Sequence, residues 1–283
     1  MKKFFLSRLI LITAILIPAV ESYSQSPANT DIRLYALDGG HLYFKNMGIF
    51  YDTGEHENEP GEMAVPCYLI KHGKDWLLWD TGNGDAIASQ PAGVKKLGIQ
   101  FTVNKTLVSQ LKQLGLKPSD IRYVALSHLH PDHSGNIALF PTANFLISKN
   151  EMKWAFSLPT PSSVQRKLIE PLKSAKVITL EGDTDLFGDG SLRIIRTPGH
   201  TPGHQSLLLK LAGAGNVMIT GDLYHTKETY EKKLVDAGNY SRSDELASFD
   251  RFDKLVRNLK ARVILQHSPE DFSTLPLFPK YLE

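Results

Sequence analysis

The sequence is poor in cysteine, in net charge and in domain linkers. Its one cysteine, Cys67, excludes an internal disulfide and lies in the apolar segment 65–70, which favours a role as a small buried hydrophobic side chain. The formal net charge is only +2 over 283 residues, so the chain offers no broad attraction for nucleic acid or an anionic membrane surface. A fold without disulfides must depend on its core, or on bound metal, for stability.

Motifs that would mark a boundary or a catalytic serine are also missing. No Pro/Ser-rich linker, low-complexity tract or block of like charges interrupts the chain, so residues 25–283 are predicted to form a single domain. No Gly-x-Ser-x-Gly elbow occurs, which disfavours hydrolysis through a serine nucleophile.

The N-terminal segment has the layout of an export signal. Lys2 and Lys3 precede a mostly apolar run over residues 9–20, and small residues follow it. A membrane helix needs about 20 apolar residues, and this run is shorter. The prediction is therefore a cleavable signal peptide over residues 1–24 and a periplasmic or secreted protein, with a retained membrane helix as the alternative.

Alternating and apolar stretches predict β-strands in both halves of the chain, separated by amphipathic helices. The predicted strands cover residues 32–37, 42–44, 65–71, 74–79, 121–126, 144–148, 176–180, 192–196, 206–211, 217–220 and 263–267. The turn between the first two is placed at Gly39-Gly40. This order suggests two similar halves and fits an α/β protein in which two sheets pack face to face with helices outside, an αβ/βα sandwich.

Two segments are left open by their patterns. Periodicity is lost over residues 83–103, which are predicted to be a long loop that forms an apolar wall for a substrate, or else a poorly packed connection. Trp154 and Phe156 are core residues or parts of a substrate channel.

The highest density of candidate metal ligands lies in residues 126–136, LSHLHPDHSGN. His128, His130, Asp132 and His133 fall there within six positions. Imidazole and carboxylate groups bind zinc and related transition metals. Because an apolar strand precedes them, the first two histidines leave its end on the same side, and the other two groups turn back toward them. A metal site is predicted, in preference to a surface turn that happens to be rich in histidine.

Further candidate ligands follow other predicted strands. His200 and His204 each follow a glycine, and Asp222 and His267 end strands of the second half. Asp80 also ends a strand, where a carboxylate can accept a hydrogen bond from a ligand histidine. Its Asp-Thr-Gly context is equally ordinary turn chemistry.

The His-x-His-x-Asp-His pattern resembles the signature of the metallo-β-lactamase superfamily of binuclear metallohydrolases. The ligands that this resemblance implies are His128, His130 and His200 for one metal, Asp132, His133 and His267 for the other, and Asp222 as the bridge. It places Asp80 behind the metals and leaves His204 a structural role. Two divalent ions are expected, with zinc the first choice, although the same ligands accept iron, cobalt or manganese.

The most extended resemblance is to the N-acyl-homoserine lactonases, the quorum-quenching members of that superfamily. The similar stretches are VPCYLIKHGKDWLLWDTG, SHLHPDHSGN, TPGHTPGHQSLLL and GDLYHTKETYE. The resemblance implies hydrolysis of an acylated lactone by a hydroxide that bridges the two metals, with Asp132 counted among the catalytic residues. It implies a small-molecule substrate, no nucleic acid and no stable membrane association after signal cleavage.

The sequence departs from the lactonase pattern at one position. Such lactonases commonly carry a tyrosine three residues after the bridging aspartate, where its hydroxyl positions the lactone. Here that place holds His225, and Tyr224 lies one residue earlier, so either side chain could contact the substrate. A phosphotriesterase or another ester or lactone hydrolase on the same scaffold is the alternative function. A β-lactamase fits less well, because the zinc-dependent classes lack a bridging aspartate.

Overall fold

The structure is a computed structural model that describes Met1, residues 31–96 and residues 98–283. The predicted signal peptide, apart from Met1, lies outside these residues. Within the described part of the chain, none of the helices combines the length and apolar character needed to cross a membrane.

The described residues form two mixed β-sheets with short and long helices between the strands. The strands are β1 Ile32–Phe44, β2 Gly61–His72, β3 Asp75–Trp79, β4 Val94–Lys96, β5 Ile99–Thr102, β6 Tyr123–Ala125, β7 Asn144–Ser148, β8 Lys176–Leu180, β9 Thr184–Asp185, β10 Leu192–Arg196, β11 Gln205–Leu211, β12 Gly215–Ile219 and β13 Arg262–Ile264. The α-helices are α1 Leu107–Gln113, α2 Pro131–Ser134, α3 Lys149–Ala155, α4 Arg166–Ile169, α5 Lys227–Lys232, α6 Arg242–Leu259 and α7 Pro269–Ser273.

The first sheet has the strand order β4-β5-β1-β2-β3-β6-β7-β8, and the second has the order β13-β12-β11-β10-β9. Alternation along β2 shows how they pack, because successive side chains point to opposite faces. Tyr68 and Ile70 join an apolar cluster that includes Leu207 of the second sheet. Cys67 and Leu69 face the cluster under α1 and α3. The αβ/βα sandwich is confirmed, and Cys67 is fully buried as a hydrophobic side chain.

Two local predictions in the first sheet were wrong. Gly39 and Gly40 do not form a hairpin turn; β1 runs through them with an irregular register between Asp38 and His41. A Cβ on Gly39 would lie 2.6 Å from the carbonyl oxygen of Val65, so the neighbouring strand approaches too closely for a larger residue. The glycines are needed for this bulge rather than for a chain reversal.

The segment 83–103 is also more ordered than predicted. Within it, β4 and β5 form an antiparallel hairpin, and β5 pairs with residues 41–44 of β1 at the edge of the first sheet. Its short strands are interrupted by glycines, which hid the alternation in the sequence. The hairpin places apolar side chains of β5 above one end of the sandwich, where the candidate site lies.

Candidate metal centre

The predicted ligands meet at one edge of the sandwich because of strand direction. In the first sheet β3 and β6 are parallel, and in the second sheet β12 and β13 are parallel. Asp222 and His267 come within three residues of the carboxyl ends of β12 and β13, as His128 does for β6. Carboxyl ends of parallel strands share an edge, so these side chains converge.

Asp80 fixes the loop that carries the first histidines. It has a left-handed φ of 58°, which turns its carboxylate beneath the loop after β6. There it accepts hydrogen bonds from the Ser127 amide at 2.7 Å and the Ser127 hydroxyl at 2.9 Å. It also lies 2.8 Å from Nδ1 of His133 and accepts from the side-chain amide of Gln266 at 2.7 Å. The carboxylate therefore links both sheets below the site.

The short helix α2 presents the next two groups. Pro131 occupies its first turn, where a proline has no amide that the helix would need. The hydroxyl of Ser134 donates to the carbonyl of His130 at 2.7 Å, and the His133 amide donates to the same carbonyl at 3.2 Å. This single turn directs Asp132 and His133 back toward the strand end.

One group of donor atoms comprises His128, His130, His200 and Asp222, whose candidate ligand atoms all lie within 4.8 Å of one another. Nε2 of His200 is 3.0 Å from Nδ1 of His130 and 3.4 Å from Oδ2 of Asp222. Nε2 of His128 is 3.5 Å from the same carboxylate oxygen.

A second group comprises Asp132, His133 and His267, within the same limit. Nε2 of His133 and Nε2 of His267 are 3.2 Å apart, and each is 3.0 Å from Oδ1 of Asp222. Asp222 thus offers one carboxylate oxygen to each group. We call the seven side chains of the two groups the metal floor.

The metal floor fits two metal ions. Ligands about 2.0–2.1 Å from a tetrahedral ion are separated by about 3.3 Å, which is close to the distances between donor atoms in both groups. Nε2 of His128 and Oδ1 of Asp222 are buried without any hydrogen-bond partner. Buried polar atoms that make no hydrogen bond are costly unless something binds them. The donors are imidazole and carboxylate, the set that zinc and similar transition metals prefer.

The outer nitrogens of the histidines are occupied by other groups. His133 Nδ1 faces Asp80, His267 Nδ1 lies 2.7 Å from the carbonyl oxygen of Ala64, and His200 Nδ1 lies 3.0 Å from Oδ1 of Asn239. A donor proton held on Nδ1 leaves the lone pair of Nε2 directed at the centre. Each of these three rings is therefore oriented for metal binding.

Electrostatics keep His130 and Asp222 in the protonation states that metal binding requires. Burial lowers the pKa of His130 to about 3, helped by the nearby His200, so its imidazole is neutral at ordinary pH. Burial alone would raise the pKa of Asp222, but the surrounding histidines, His133 first, outweigh it and hold that pKa well below its usual range. Asp222 is thus a carboxylate.

His204 supports the backbone beside the donor groups. Its Nε2 accepts a hydrogen bond from the backbone amide of Asp222 at 2.8 Å, and its Nδ1 lies 2.9 Å from the carbonyl oxygen of Thr197. The ring fixes the start of the turn that carries Asp222, and it belongs to neither donor group.

The structure separates Tyr224 from His225. The Tyr224 ring stacks on Phe249, and its hydroxyl lies 3.2 Å from the ammonium of Lys233, on the side away from the metal floor. His225 instead lines the cavity, with Nε2 at 3.1 Å from Oδ2 of Asp222. A 3-10 turn over Gly221–Leu223 follows β12, and Tyr224 leaves it with an extended backbone, so its side chain and that of the next residue face opposite ways.

Above the metal floor lies a cavity of about 480 Å³. Seven of the apolar residues that line it are called the acyl wall here: Leu42, Phe44, Ile49, Phe50, Met63, Ile99 and Phe101. The predicted wall segment thus contributes two residues, and β1 and the turn after it contribute most of the others. Trp154 and Phe156 do not line this cavity and pack against the core instead.

Two buried carboxylates at the site were missed by the sequence reasoning. Glu151 accepts hydrogen bonds from the amides of Leu129 and Gly203 and from the Thr201 hydroxyl, at 2.7–3.1 Å, and so joins the two histidine loops. Asp236 lines the cavity beside His225. Glu151 follows β7 by three residues but lies within α3, and Asp236 lies between α5 and α6; neither belongs to a recognised motif.

The fold and the two donor groups define a metal-dependent hydrolase. Residues 60–267, more than half of the chain, match the family model of the Metallo-beta-lactamase superfamily. The chain belongs to that superfamily.

Curated relatives share most of its length. N-acyl homoserine lactonase AttM of Azorhizobium caulinodans is 30% identical over 264 residues, which are 90% of this chain and 100% of the relative. AttM of Rhizobium johnstonii is 32% identical over 262 residues, 89% of this chain and 99% of the relative. N-acyl homoserine lactonase AiiA of Bacillus thuringiensis subsp. kurstaki is 28% identical over 232 residues, 79% of this chain and 90% of the relative.

Solved structures of lactonases have the same fold. A structure of N-acyl homoserine lactone hydrolase, with the product N-hexanoyl-L-homoserine bound at its catalytic metal center, has a TM-score of 0.78 and 26% identity, covering 88% of this chain and 98% of that one. AidC, a dizinc quorum-quenching lactonase, has a TM-score of 0.65 at 23% identity over 84% of this chain and 88% of that one, which shows the shared fold. The predicted resemblance to the lactonases is confirmed.

Proposed function

We propose that the protein is a metal-dependent hydrolase that opens the ring of N-acyl-homoserine lactones. The observation that carries the proposal is the pairing of the metal floor with an apolar cavity in one site. An acylated lactone has both a polar carbonyl, which suits the floor, and an aliphatic chain, which suits the acyl wall. The relatives named as N-acyl homoserine lactonases match the chain over nearly its whole length.

The residues of the site would have different roles in the reaction. Two divalent ions, which we propose to be zinc, would supply an activated water and polarise the ester carbonyl when bound to the metal floor. Asp222 would hold both ions, since its two oxygens face the two groups. The acyl wall excludes water from the acyl chain of the substrate and thereby orients its lactone ring. His225 is the side chain placed to donate a proton to the carbonyl or ring oxygen.

Turnover measurements on three substrate classes would test the proposal. The metal-loaded protein is expected to hydrolyse an N-acyl-homoserine lactone much faster than a β-lactam or a phosphotriester, with all activity lost on chelation and restored by zinc. A faster rate on the phosphotriester would replace the proposed substrate, and activity unaffected by chelation would exclude the metal mechanism. Metal analysis on the same samples should give close to two ions per chain.

We further propose that the protein is exported. The support is the sequence of residues 1–24, in which two lysines precede a short apolar run and small residues. Expression in a Gram-negative host followed by fractionation and N-terminal sequencing would test this. A mature chain that begins near residue 25 in the periplasm or medium is expected, and an uncleaved cytoplasmic chain would contradict the proposal.

A further inference from the structure

His225 has an unusually defined setting for a residue that faces a cavity. Its ring lies 4.5 Å from the ring of Phe50 and stacks parallel to His267 at 5.7 Å, with 4° between the planes. Its Nδ1 lies 2.8 Å from Oδ2 of Asp236, and its Nε2 lies 3.1 Å from Asp222. Packing therefore sets the plane of the ring, and the two carboxylates set which edge faces the metal floor.

Asp236 is itself held rigidly, because the backbone on both sides of it is tied to another part of the chain. The carbonyl of Val235 accepts from the Asp52 amide at 2.8 Å, and the Ala237 amide donates to the carbonyl of Ile49 at 3.2 Å. The side chain is largely buried, with 9% of its surface exposed. A buried carboxylate is costly without a cationic or hydrogen-bonding partner. The nearest such group is Nδ1 of His225, and the 2.8 Å contact is a close ion pair that is not aligned as a hydrogen bond.

We infer that Asp236 is a positioning residue that holds Nδ1 of His225 and thereby directs Nε2 of that ring to the substrate side of the metal floor. A tyrosine hydroxyl at this position would need no such partner, since it has a single polar atom. An imidazole has two nitrogens and can turn either edge to the cavity, so it needs a group that fixes one of them. The inference rests on the proposed lactone chemistry only where turnover is the measurement.

Asp236 has one other polar neighbour, which supplies the competing explanation. Its Oδ2 is 3.6 Å from Nδ1 of His200, a candidate ligand, but that nitrogen is already 3.0 Å from Oδ1 of Asn239. If Asp236 supported His200 instead, its removal would act on metal binding and would not depend on His225.

A double-mutant cycle on the metal-loaded enzyme separates the two explanations. Asp236→Ala is expected to lower kcat on a homoserine lactone by about 10- to 100-fold, with little change in KM and two ions still bound. Asp236→Asn, which keeps an acceptor oxygen, should recover part of that loss. His225→Ala/Asp236→Ala should be no slower than His225→Ala alone, because Asp236 acts through the ring. The inference would be overturned if the kcat of the double variant fell by the product of the two single-variant losses, or if Asp236→Ala lost metal.

A second measurement does not depend on the substrate. Two-bond ¹⁵N–¹H spectra of the histidine rings in the zinc-loaded protein should show the His225 nitrogens changed in Asp236→Ala and those of His267 unchanged. Asp253→Asn is the matched control, since Asp253 pairs with Lys233 at 2.9 Å and does not face the cavity. It should leave the His225 signals in place. Unaltered His225 signals in Asp236→Ala would exclude the positioning role even if lactones proved not to be substrates.

Discussion

The metal floor and the acyl wall meet in one cavity but are held in different ways. Floor side chains are oriented by directional contacts, such as the 2.8 Å pairing of His133 with Asp80 and the 2.7 Å contact of His267 with the Ala64 carbonyl. Wall side chains such as Phe44 and Phe50 are held by packing, with ring centroids 4.9 Å apart. Removing a hydrogen-bonding partner leaves a buried polar group without its contact. Shortening an apolar side chain only reduces the buried apolar area. Floor changes should therefore abolish activity, and wall changes should tune it.

The largest effect is expected from Asp222→Ala, which removes the carboxylate that faces both donor groups. The variant should lose at least one ion and fall to the activity of the chelated protein, because the remaining histidines have no shared anion between them. Metal analysis together with turnover on a homoserine lactone checks this. Two retained ions with full activity would show that Asp222 does not bridge.

His225→Ala tests the residue on the border between floor and wall. Loss of a fixed donor beside the carbonyl should lower kcat by roughly 10²–10³-fold while two ions stay bound. Tyr224→Phe should leave kcat near the wild-type value, since the Tyr224 hydroxyl contacts Lys233 away from the cavity. A rate loss in Tyr224→Phe alone would reverse the assignment, and metal loss in His225→Ala would make His225 a ligand.

Glu151 allows a test of the scaffold under the floor through pH. Burial raises its pKa to about 7 from 4.5, against the hydrogen bonds that it accepts. Between these values the folded state binds the proton more tightly than the unfolded state, so this group makes stability fall as pH rises from about 4.5 to 7, by up to about 3 kcal/mol. Glu151→Gln, which cannot ionise, should remove that slope. Denaturant unfolding of both proteins across this range would show it, and parallel curves would contradict it.

The smallest effect is expected from trimming the acyl wall. Ile99→Ala removes part of a half-buried side chain, worth about 1 kcal/mol, so KM for a long-chain lactone should rise about fivefold and KM for a short-chain lactone much less. Val108→Ala, a similar change on α1 outside the cavity, is the control and should alter neither KM. Equal increases for both chain lengths would show that Ile99 does not contact the acyl chain.

The sequence located candidate ligands where a polar side chain follows the end of an apolar strand. The segment 126–136, Asp222 and His267 follow apolar strands directly, and strand direction alone brings such positions to one edge. The sequence could not decide between two adjacent residues whose side chains point in opposite directions. Tyr224 and His225 are neighbours in the sequence, and nothing local says which of them faces the cavity.

The amino-acid sequence by itself determined the layered fold through its local hydrophobic patterns, and the superfamily and the residues of the two donor groups through the resemblance that its His-x-His-x-Asp-His motif carries. Only the tertiary structure decided that Gly39-Gly40 is a bulge, that residues 94–102 form a hairpin against β1, and that Asp236 lies 2.8 Å from His225. The first two depend on strand pairing within the first sheet, and the third on backbone hydrogen bonds that tie residues 235 and 237 to residues 52 and 49. Such contacts between separate segments leave no periodic trace in the sequence.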